Sequence, residues 1–317
     1  MPKLNIIMYH YVRNLKTSRY SEIKGLDMEL FRQQIEFLKK HFQFVTMEDV
    51  IASKDGKDLP ENGVLLTFDD GYIDHYTNVF PILKENNIQG VFSMPGKILR
   101  EKKVLDVNKI HFVLASAPIE QIKDKLFTYM DQYRGSEFAI PSNQELYEKL
   151  AVANRFDNKD VIFVKRALQV ELPETLRNII TDKLFHEFVT SSESAFVDEL
   201  YMNMDQIKLM KNQGMYFGIH GYDHYWMNRL TDEALVKDIE QALDVFDGII
   251  DGKNWICCYP YGSYSDSVIE RIKGMGAVAG LSTDVRLYIP KKDNIFKIPR
   301  LDTNDLPPKS ENYLKYR

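Results

Sequence analysis

Cysteine is nearly absent from this 317-residue chain, and the only two are neighbours, Cys257 and Cys258. Bridging adjacent residues closes too small and strained a ring, so a disulfide framework is excluded. Long apolar runs are missing as well. The N-terminal stretch Leu4-Asn5-Ile6-Ile7-Met8-Tyr9-His10 is far too short for a signal peptide or a membrane helix and reads instead as a first buried strand. These two absences point to a cytoplasmic protein without a membrane span. Nor does charge of one sign dominate: 41 Lys and Arg stand against 46 Asp and Glu, a net charge of −5. That balance gives no electrostatic reason to expect a nucleic-acid partner, and no run of like charge reads as a tail. Histidine is scarce too, with seven in the chain, so two that fall together carry weight.

What is present is an ordinary globular composition, 44% hydrophobic and 27% charged, with enough apolar material for a sizeable core. Short β-rich runs alternate with helical patterns, which predicts βα units around a parallel sheet. Residues 4–12 are a strand. Residues 27–41 carry Phe31, Ile35 and Leu38 at helical spacing behind an Asp27 N-cap. Thr46-Met47-Glu48-Asp49 reads as a capping sequence. Residues 63–68 form a nearly continuous apolar strand, as expected where both faces are covered, and run straight into Asp69-Asp70-Gly71. A helix over 74–86 and a strand over 88–93 follow.

The second half repeats the rhythm: helix 205–213, strand 215–219, helix 231–249 behind Thr231, strand 255–259, helix 266–275 and final strands at 277–281 and 295–298. Between the halves the pattern changes. Residues 100–199 show only helical patterning, at 120–133, 143–152, 159–168 and 176–190, which predicts a helical insertion or lid on a barrel formed by 1–99 and 200–317.

Two motifs carry chemistry. A strand ending in Asp-Asp-Gly sets two carboxylates at the carboxyl edge of a parallel sheet, where α/β sites are built. Like charges held close stay ionised only with a cation or proton between them, and Gly71 permits the sharp turn. A surface turn would also explain Asp-Asp-Gly, but its lead-in would then alternate rather than run apolar. The second motif is His220-Gly221-Tyr222-Asp223-His224, two imidazoles just after a strand at a spacing that can converge on one metal. With one carboxylate they make a two-His, one-carboxylate set that leaves positions open for water and substrate.

With these motifs the chain resembles the polysaccharide deacetylases of carbohydrate esterase family 4, over roughly residues 1–99 and 200–305. Thr67-Phe68-Asp69-Asp70-Gly71 matches the family's first motif. His220 to His224 match the second, with Gly221 replacing a hydroxyl residue, and Tyr259-Pro260-Tyr261-Gly262 matches the core of the third. The resemblance implies a deformed (β/α)7-type barrel and a metal-dependent carbohydrate N-deacetylase. Asp69 would be the general base, and Asp70, His220 and His224 the ligands of a divalent metal, Zn2+ first and Co2+ or Ni2+ as substitutes. The backbone N–H of Tyr261, after Pro260, would face the oxyanion, and Tyr72 would line the groove.

The chain departs from the family pattern in two further places. Cys258 stands where an Arg usually orients the base, and no histidine follows His224 to act as acid. One branch of the family carries its acid histidine in an N-terminal Tyr-His segment, which assigns that role to His10; a satisfied strand-end histidine is the alternative. Arg300 is a possible orienter of Asp69 or else a salt-bridge residue, and Asp284 a possible support for a site histidine. His75 reads as a helix-surface group and His111 as packing within the insertion. Tyr222, Tyr225 and Trp226 could stack on sugar rings or simply pack. The expected substrate is an N-acylated amino sugar in a glycan or glycan precursor for surface polysaccharide assembly. Rival readings are an amidase, imidase or O-acetyl esterase on the same fold, or a non-catalytic carbohydrate-binding protein.

Overall fold

The computed structural model of the chain describes residues 2–135, 137–154 and 157–316. Its strands are β1 (Asn5–Tyr9), β2 (Val12–Arg13), β3 (Leu26–Asp27), β4 (Gln43–Phe44), β5 (Gly63–Asp69), β6 (Gly90–Met94), β7 (Tyr216–Ile219), β8 (Trp255–Cys258), β9 (Ala277–Leu281) and β10 (Leu301–Asp302). One parallel sheet runs β10-β1-β5-β6-β7-β8-β9, with β4 also on β5. Its two edges are joined by the chain between them. Ile298 donates to Gly280 O and accepts from Ser282, both on or next to β9, while Leu301 and Asp302 pair with Ile7 and Met8 of β1. The result is the deformed (β/α)7-type barrel. The expected strand at 295–298 is instead a 3-10 turn, Ile295–Lys297, followed by this narrow crossing.

The period-two alternation of strands sorts the buried residues onto two faces. On one face Ile6, Leu65, Val91, Ile256, Ala279 and Leu281 pack with Ile298. On the other, Tyr9, Phe68, Phe92 and Phe217 are register partners across four adjacent strands, and their rings stack in succession at 5.1, 4.9 and 5.6 Å. Helix α1 (Met28–His41) lays Phe31, Ile35 and Leu38 against this layer, Phe31 edge-on to Tyr9 at 5.3 Å. Asp27 caps its first turn by accepting from Glu29 N–H, and α2 (Met47–Ala52) opens with a full Thr46/Asp49 capping box.

Chain contacts divide the molecule into two units, Met1–Asn14 with Gly25–Lys102 and Asp198–Arg317, and Leu15–Lys24 with Lys103–Val197. The sheet lies in the first, with helices α3 (Phe80–Glu85) and α4 (Lys97–Arg100). The second is helical, with α5 (Asp106–Leu114), α6 (Ile119–Tyr133), α7 (Asn143–Leu150), α8 (Lys159–Arg166) and α9 (Glu174–Phe188). The pattern over 159–168 ends in a π-helical turn, Ala167–Glu171, and α5 is a helix that sequence patterning missed. Within this unit Tyr20 packs edge-on to Phe112 at 4.9 Å, and buried Lys109 is paired with Asp182 and Glu193 at 2.5 and 2.9 Å. Helix α10 (Glu193–Leu200) leads back to the first unit, where α11 (Met204–Asn212), α12 (Asp232–Val245) and α13 (Asp266–Gly274) complete the βα alternation. Among the described residues no helix is long and apolar enough to cross a membrane.

Phe31→Ala removes a fully buried ring from the layer between α1 and the sheet. It is expected to cost about 3–5 kcal/mol, read as a lower urea midpoint. Exposed Glu36→Ala on the same helix should stay within about 0.5 kcal/mol; equal losses from the two would refute this packing.

Candidate metal centre and active site

The functional side chains sit where parallel strands end. β5 delivers Asp69 as its last residue, and the backbone turns through left-handed geometry at Asp70 (φ +73°) and Gly71 (φ +72°). The positive φ is what calls for glycine at 71; a Cβ there would also press on the flexible end of Met94. His220 follows β7, the Tyr259–Gly262 turn follows β8, and His10 follows β1. All these ends are C-terminal, so the sheet's common direction gathers them at one edge.

Asp70, His220 and His224 converge there. Asp70 Oδ1 lies 3.4 Å from His220 Nε2 and 3.5 Å from His224 Nε2, and all three residues are buried. His220 Nδ1 is 2.7 Å from the carbonyl of Cys258. A carbonyl only accepts, so Nδ1 carries a proton and Nε2 is the ring nitrogen turned toward Asp70. Asp70 Oδ1 has no hydrogen-bond partner among the described residues. Its other oxygen is held by Tyr72, whose hydroxyl donates at 2.5 Å. Burial chiefly, and then the charge of His220, lower His224 to about 3, so the His224 imidazole is held in its neutral form. A buried carboxylate oxygen with no hydrogen-bond partner, set between two imidazole nitrogens, is unfavourable unless a proton or a cation lies among them. This donor set suits a divalent metal. Asp69, His220 and Cys258 also form a close buried group. However, the Cys258 thiol is pushed well up by burial and donates toward Asp69 at 3.4 Å, which makes it a poor ligand.

Asp69 lies beside this cluster, 1% exposed. Burial pushes its carboxyl up, but the charge of Arg300, then His220 and His10, and the Arg300 hydrogen bond pull it further down, below the ordinary carboxylate range. Asp69 is therefore ionised. Arg300 Nη1 donates to Asp69 Oδ1 at 2.8 Å and to Thr67 Oγ1 at 3.2 Å, and its Nε donates to Ser282 O at 2.8 Å. Arg300 is itself 1% exposed, so it is no surface residue. With Oδ1 engaged by Arg300 and Cys258, Asp69 turns Oδ2 toward His10, whose Nε2 is 3.9 Å away.

Where His10 sits is settled by the turn after the Asp-Asp-Gly motif. His75 is not on a helix surface: it is fully buried at the start of a π-helical turn, His75–Val79, and its Nε2 lies 3.0 Å from the His10 carbonyl, to which it donates. Asp74 accepts from Val12 N–H at 3.2 Å and grips Arg13 through two bonds, while Asn78 donates to Val12 O at 2.8 Å. Three turn residues thus fasten the segment that carries His10. A single-chain pattern gives no signal for this, because 10–13 and 74–78 meet only across neighbouring strands.

Tyr261 sits in left-handed backbone geometry (φ +57°) after buried Pro260. Its ring is edge-on to His224 at 4.6 Å and stacks flat on Trp226 at 4.5 Å. Tyr72, expected along a groove, is fully buried with its hydroxyl turned to Asp70 and its ring stacked on Tyr11 at 4.0 Å. Tyr222 is buried as well and donates to Glu101, so it offers no stacking face, while Tyr225 and Trp226 are half-buried. Asp284 is exposed and accepts from Tyr264 rather than supporting a histidine. His111 lies half-buried in the helical unit. Sequence reading also missed Asp238, a buried carboxylate in the apolar stripe of α12. Its spacing from Leu235 and Ile239 was a signal in plain sight.

Comparison with known proteins bears on the family and the fold. The family pattern described as polysaccharide deacetylase matches residues 56–122 and 185–280. The Escherichia coli (strain K12) poly-β-1,6-N-acetyl-D-glucosamine N-deacetylase is 47% identical over 67 residues, 20% of this chain and 10% of that protein. The chain thus matches only about a tenth of that relative's length. Among solved structures, the Streptococcus pyogenes deacetylase PplD in complex with acetate superposes with a TM-score of 0.59 at 17% identity, covering 99% of this chain and 98% of that one. A de-N-acetylase from Aggregatibacter actinomycetemcomitans gives 0.58 at 18%, covering 98% and 99%. At these identities the superpositions show a shared fold.

Burial lowers His75 to about 4, against 6.5 for an unperturbed imidazole. Between those values the unfolded chain binds a proton that the native state refuses. Stability should therefore fall as pH drops from 6.5 toward 4, by about 3 kcal/mol from this group. His75→Gln keeps a donor for His10 O without titrating, and its stability-versus-pH curve should be flatter in that window. Parallel curves for the two proteins would disprove the buried neutral imidazole.

Proposed function

The chain belongs to the polysaccharide deacetylase family, and we propose that it is a metal-dependent carbohydrate N-deacetylase, a hydrolase that cleaves the linear amide C–N bond of an N-acetylated amino sugar to release acetate and a free amine. The observation that carries this reading is an ionised, oriented, buried carboxylate, Asp69, beside a converging set of bare acceptors. The name of the Escherichia coli relative makes a β-linked N-acetylglucosamine glycan or its precursor the substrate class to try first, in surface polysaccharide assembly.

In this reading Asp70, His220 and His224 hold a divalent metal, Zn2+ foremost and Co2+ or Ni2+ as substitutes. When bound, the metal supplies Lewis acidity toward the acyl carbonyl and the attacking water. The chain's own groups move the protons. Asp69 Oδ2 takes a proton from water as the water oxygen bonds to the acyl carbon, and Arg300 keeps Oδ1 occupied so that Oδ2 is the oxygen presented. Tyr261 N–H, set by the turn at Pro260, donates to the oxygen on which charge develops. As the C–N bond breaks, its electron pair goes to the amine nitrogen, which takes a proton from His10 Nε2. Tyr72 serves by fixing the orientation of Asp70 rather than by touching sugar.

Acetate and amine release from N-acetylglucosamine oligosaccharides should require the metal, vanish with chelator and return on adding Zn2+. Asp69→Asn should lower kcat by about 10²–10⁴-fold while Zn2+ binding persists; full turnover in that variant would sink the proposed base. His10→Ala should impair amide hydrolysis far more than hydrolysis of an O-acetyl ester, because an amine leaving group needs its proton and an alkoxide needs it less. Equal defects on both would favour an esterase-like reading in which His10 is not the acid.

A further inference from the structure

The two histidines of the metal centre sit on a loop whose backbone is unusual. Gly221 has φ +69° and His224 φ +56°, both in the left-handed region. Such a loop does not hold itself in shape, since left-handed geometry at a residue with a side chain carries strain. Two helices, α4 and α12, hold it. From the α4 side, Gly96 N–H donates to Gly221 O at 3.2 Å, Lys97 N–H to Tyr222 O at 2.9 Å, and Lys97 Nζ to Asp223 Oδ2 at 2.6 Å. From α12, Asp238 accepts two adjacent peptide N–H groups, Tyr222 at 2.9 Å on Oδ2 and Asp223 at 3.1 Å on Oδ1.

Asp238 is 4% exposed and lies in the stripe Leu235, Ile239 and Ala242 that α12 buries. A helix that needed only packing would carry an apolar residue there. Burial pushes its carboxyl up to about 6 even with two N–H donors, so the position carries an intrinsic cost that packing does not explain. Its contact with the loop is also exclusive. A Cβ added to Gly221 would stand 2.8 Å from Asp238 Oδ2. A side chain at 221 and this carboxylate therefore compete for one space.

We propose that Asp238 is a positioning residue for the metal centre: it holds the loop between His220 and His224 in the shape that turns both imidazoles to Asp70, and Gly221 is the residue that admits it. The inference rests on the metal-dependent reading above. It also gives the departure at Gly221 a physical cause, because the loop takes its acceptor from α12 instead of from a side chain of its own.

Zinc affinity of the metal-stripped full chain tests this, with Zn2+ titrated against a chromogenic chelator alongside thermal melting of the zinc-free protein. Asp238→Asn keeps the shape but only one accepting oxygen, and should weaken Zn2+ binding about tenfold. Asp238→Ala should weaken it toward 100-fold. The kcat that these variants lose at limiting Zn2+ should recover at saturating Zn2+, which damage to the fold would not allow. Gly221→Ala should weaken binding as well. Combined with Asp238→Ala its effect should be less than additive, since both disturb one contact.

Zn2+ affinity within twofold of wild type in Asp238→Asn would overturn the proposal, and that variant decides the matter if Asp238→Ala does not fold. A melting temperature that falls while zinc affinity stays put would overturn it too, in favour of a purely structural carboxylate. Wild-type protein that binds no Zn2+ would be a different failure, of the metal reading itself.

Discussion

Asp69 and Arg300 are both buried, and they meet at 2.8 Å where the chain crosses from one edge of the sheet to the other. Neither charge is tolerable there alone. An unpaired ion in such a setting costs several kcal/mol, and removing one partner of a buried pair typically costs about 3–5 kcal/mol. The pair therefore ties closure of the barrel to the ionisation of the carboxylate beside the metal centre. The Arg300 guanidinium also reaches Ser282 O and Thr67 Oγ1, and Thr67 in turn donates to Ile7 O. Strands β1, β5, β9 and β10 are linked in this way through one cation. A well-anchored Asp69 follows, with one oxygen fixed and the other aimed toward His10.

The candidate metal centre is built on the opposite logic. Around Asp69 the positive charge is a permanent guanidinium; Asp70 instead faces a tyrosine hydroxyl and two imidazoles. Tyr72, with its hydroxyl proton retained by burial, donates to one Asp70 oxygen, and the two imidazole Nε2 atoms lie 3.4 and 3.5 Å from the other. Two carboxylates adjacent in sequence thus occupy contrasting environments, which is what the proposed division between proton transfer and metal binding requires. The left-handed backbone at Asp70 is what separates them: it turns the second carboxylate away from the face that holds the first.

Much of this was legible in the sequence. The apolar run 63–68 ending in Asp-Asp-Gly, the helix with Phe31, Ile35 and Leu38, the Thr46 capping box and the strand stops at His220 and Pro260 depend on local spacing and capping, and they stand in the structure with small shifts of boundary. The convergence of Asp70, His220 and His224 was readable as well, because parallel strands deliver their C-terminal ends to one edge. Less visible were features that require a partner remote in sequence. His75 looked like a surface group because nothing local says that its neighbour is the carbonyl of His10. Tyr72 looked like a groove residue because its proximity to Asp70 was not weighed as a hydrogen bond. The last strand was misplaced because the closing segment pairs through isolated bridges, too few residues to leave a periodic trace.

The sequence by itself determined which residue types stand at which strand ends, and with them the barrel, the acceptor cluster and the family. Those features follow from short-range pattern and from the single direction of a parallel sheet. Only the tertiary structure decided who serves Asp69 and who steadies the histidine loop. Arg300 lies 231 residues from Asp69 and reaches it because the sheet closes. Asp238 reaches Tyr222 because α12 packs back beside β7's loop. A buried charge is stabilised by whatever opposite charge or hydrogen-bond donor the fold brings within about 3 Å, and distance in space is what a linear pattern does not record.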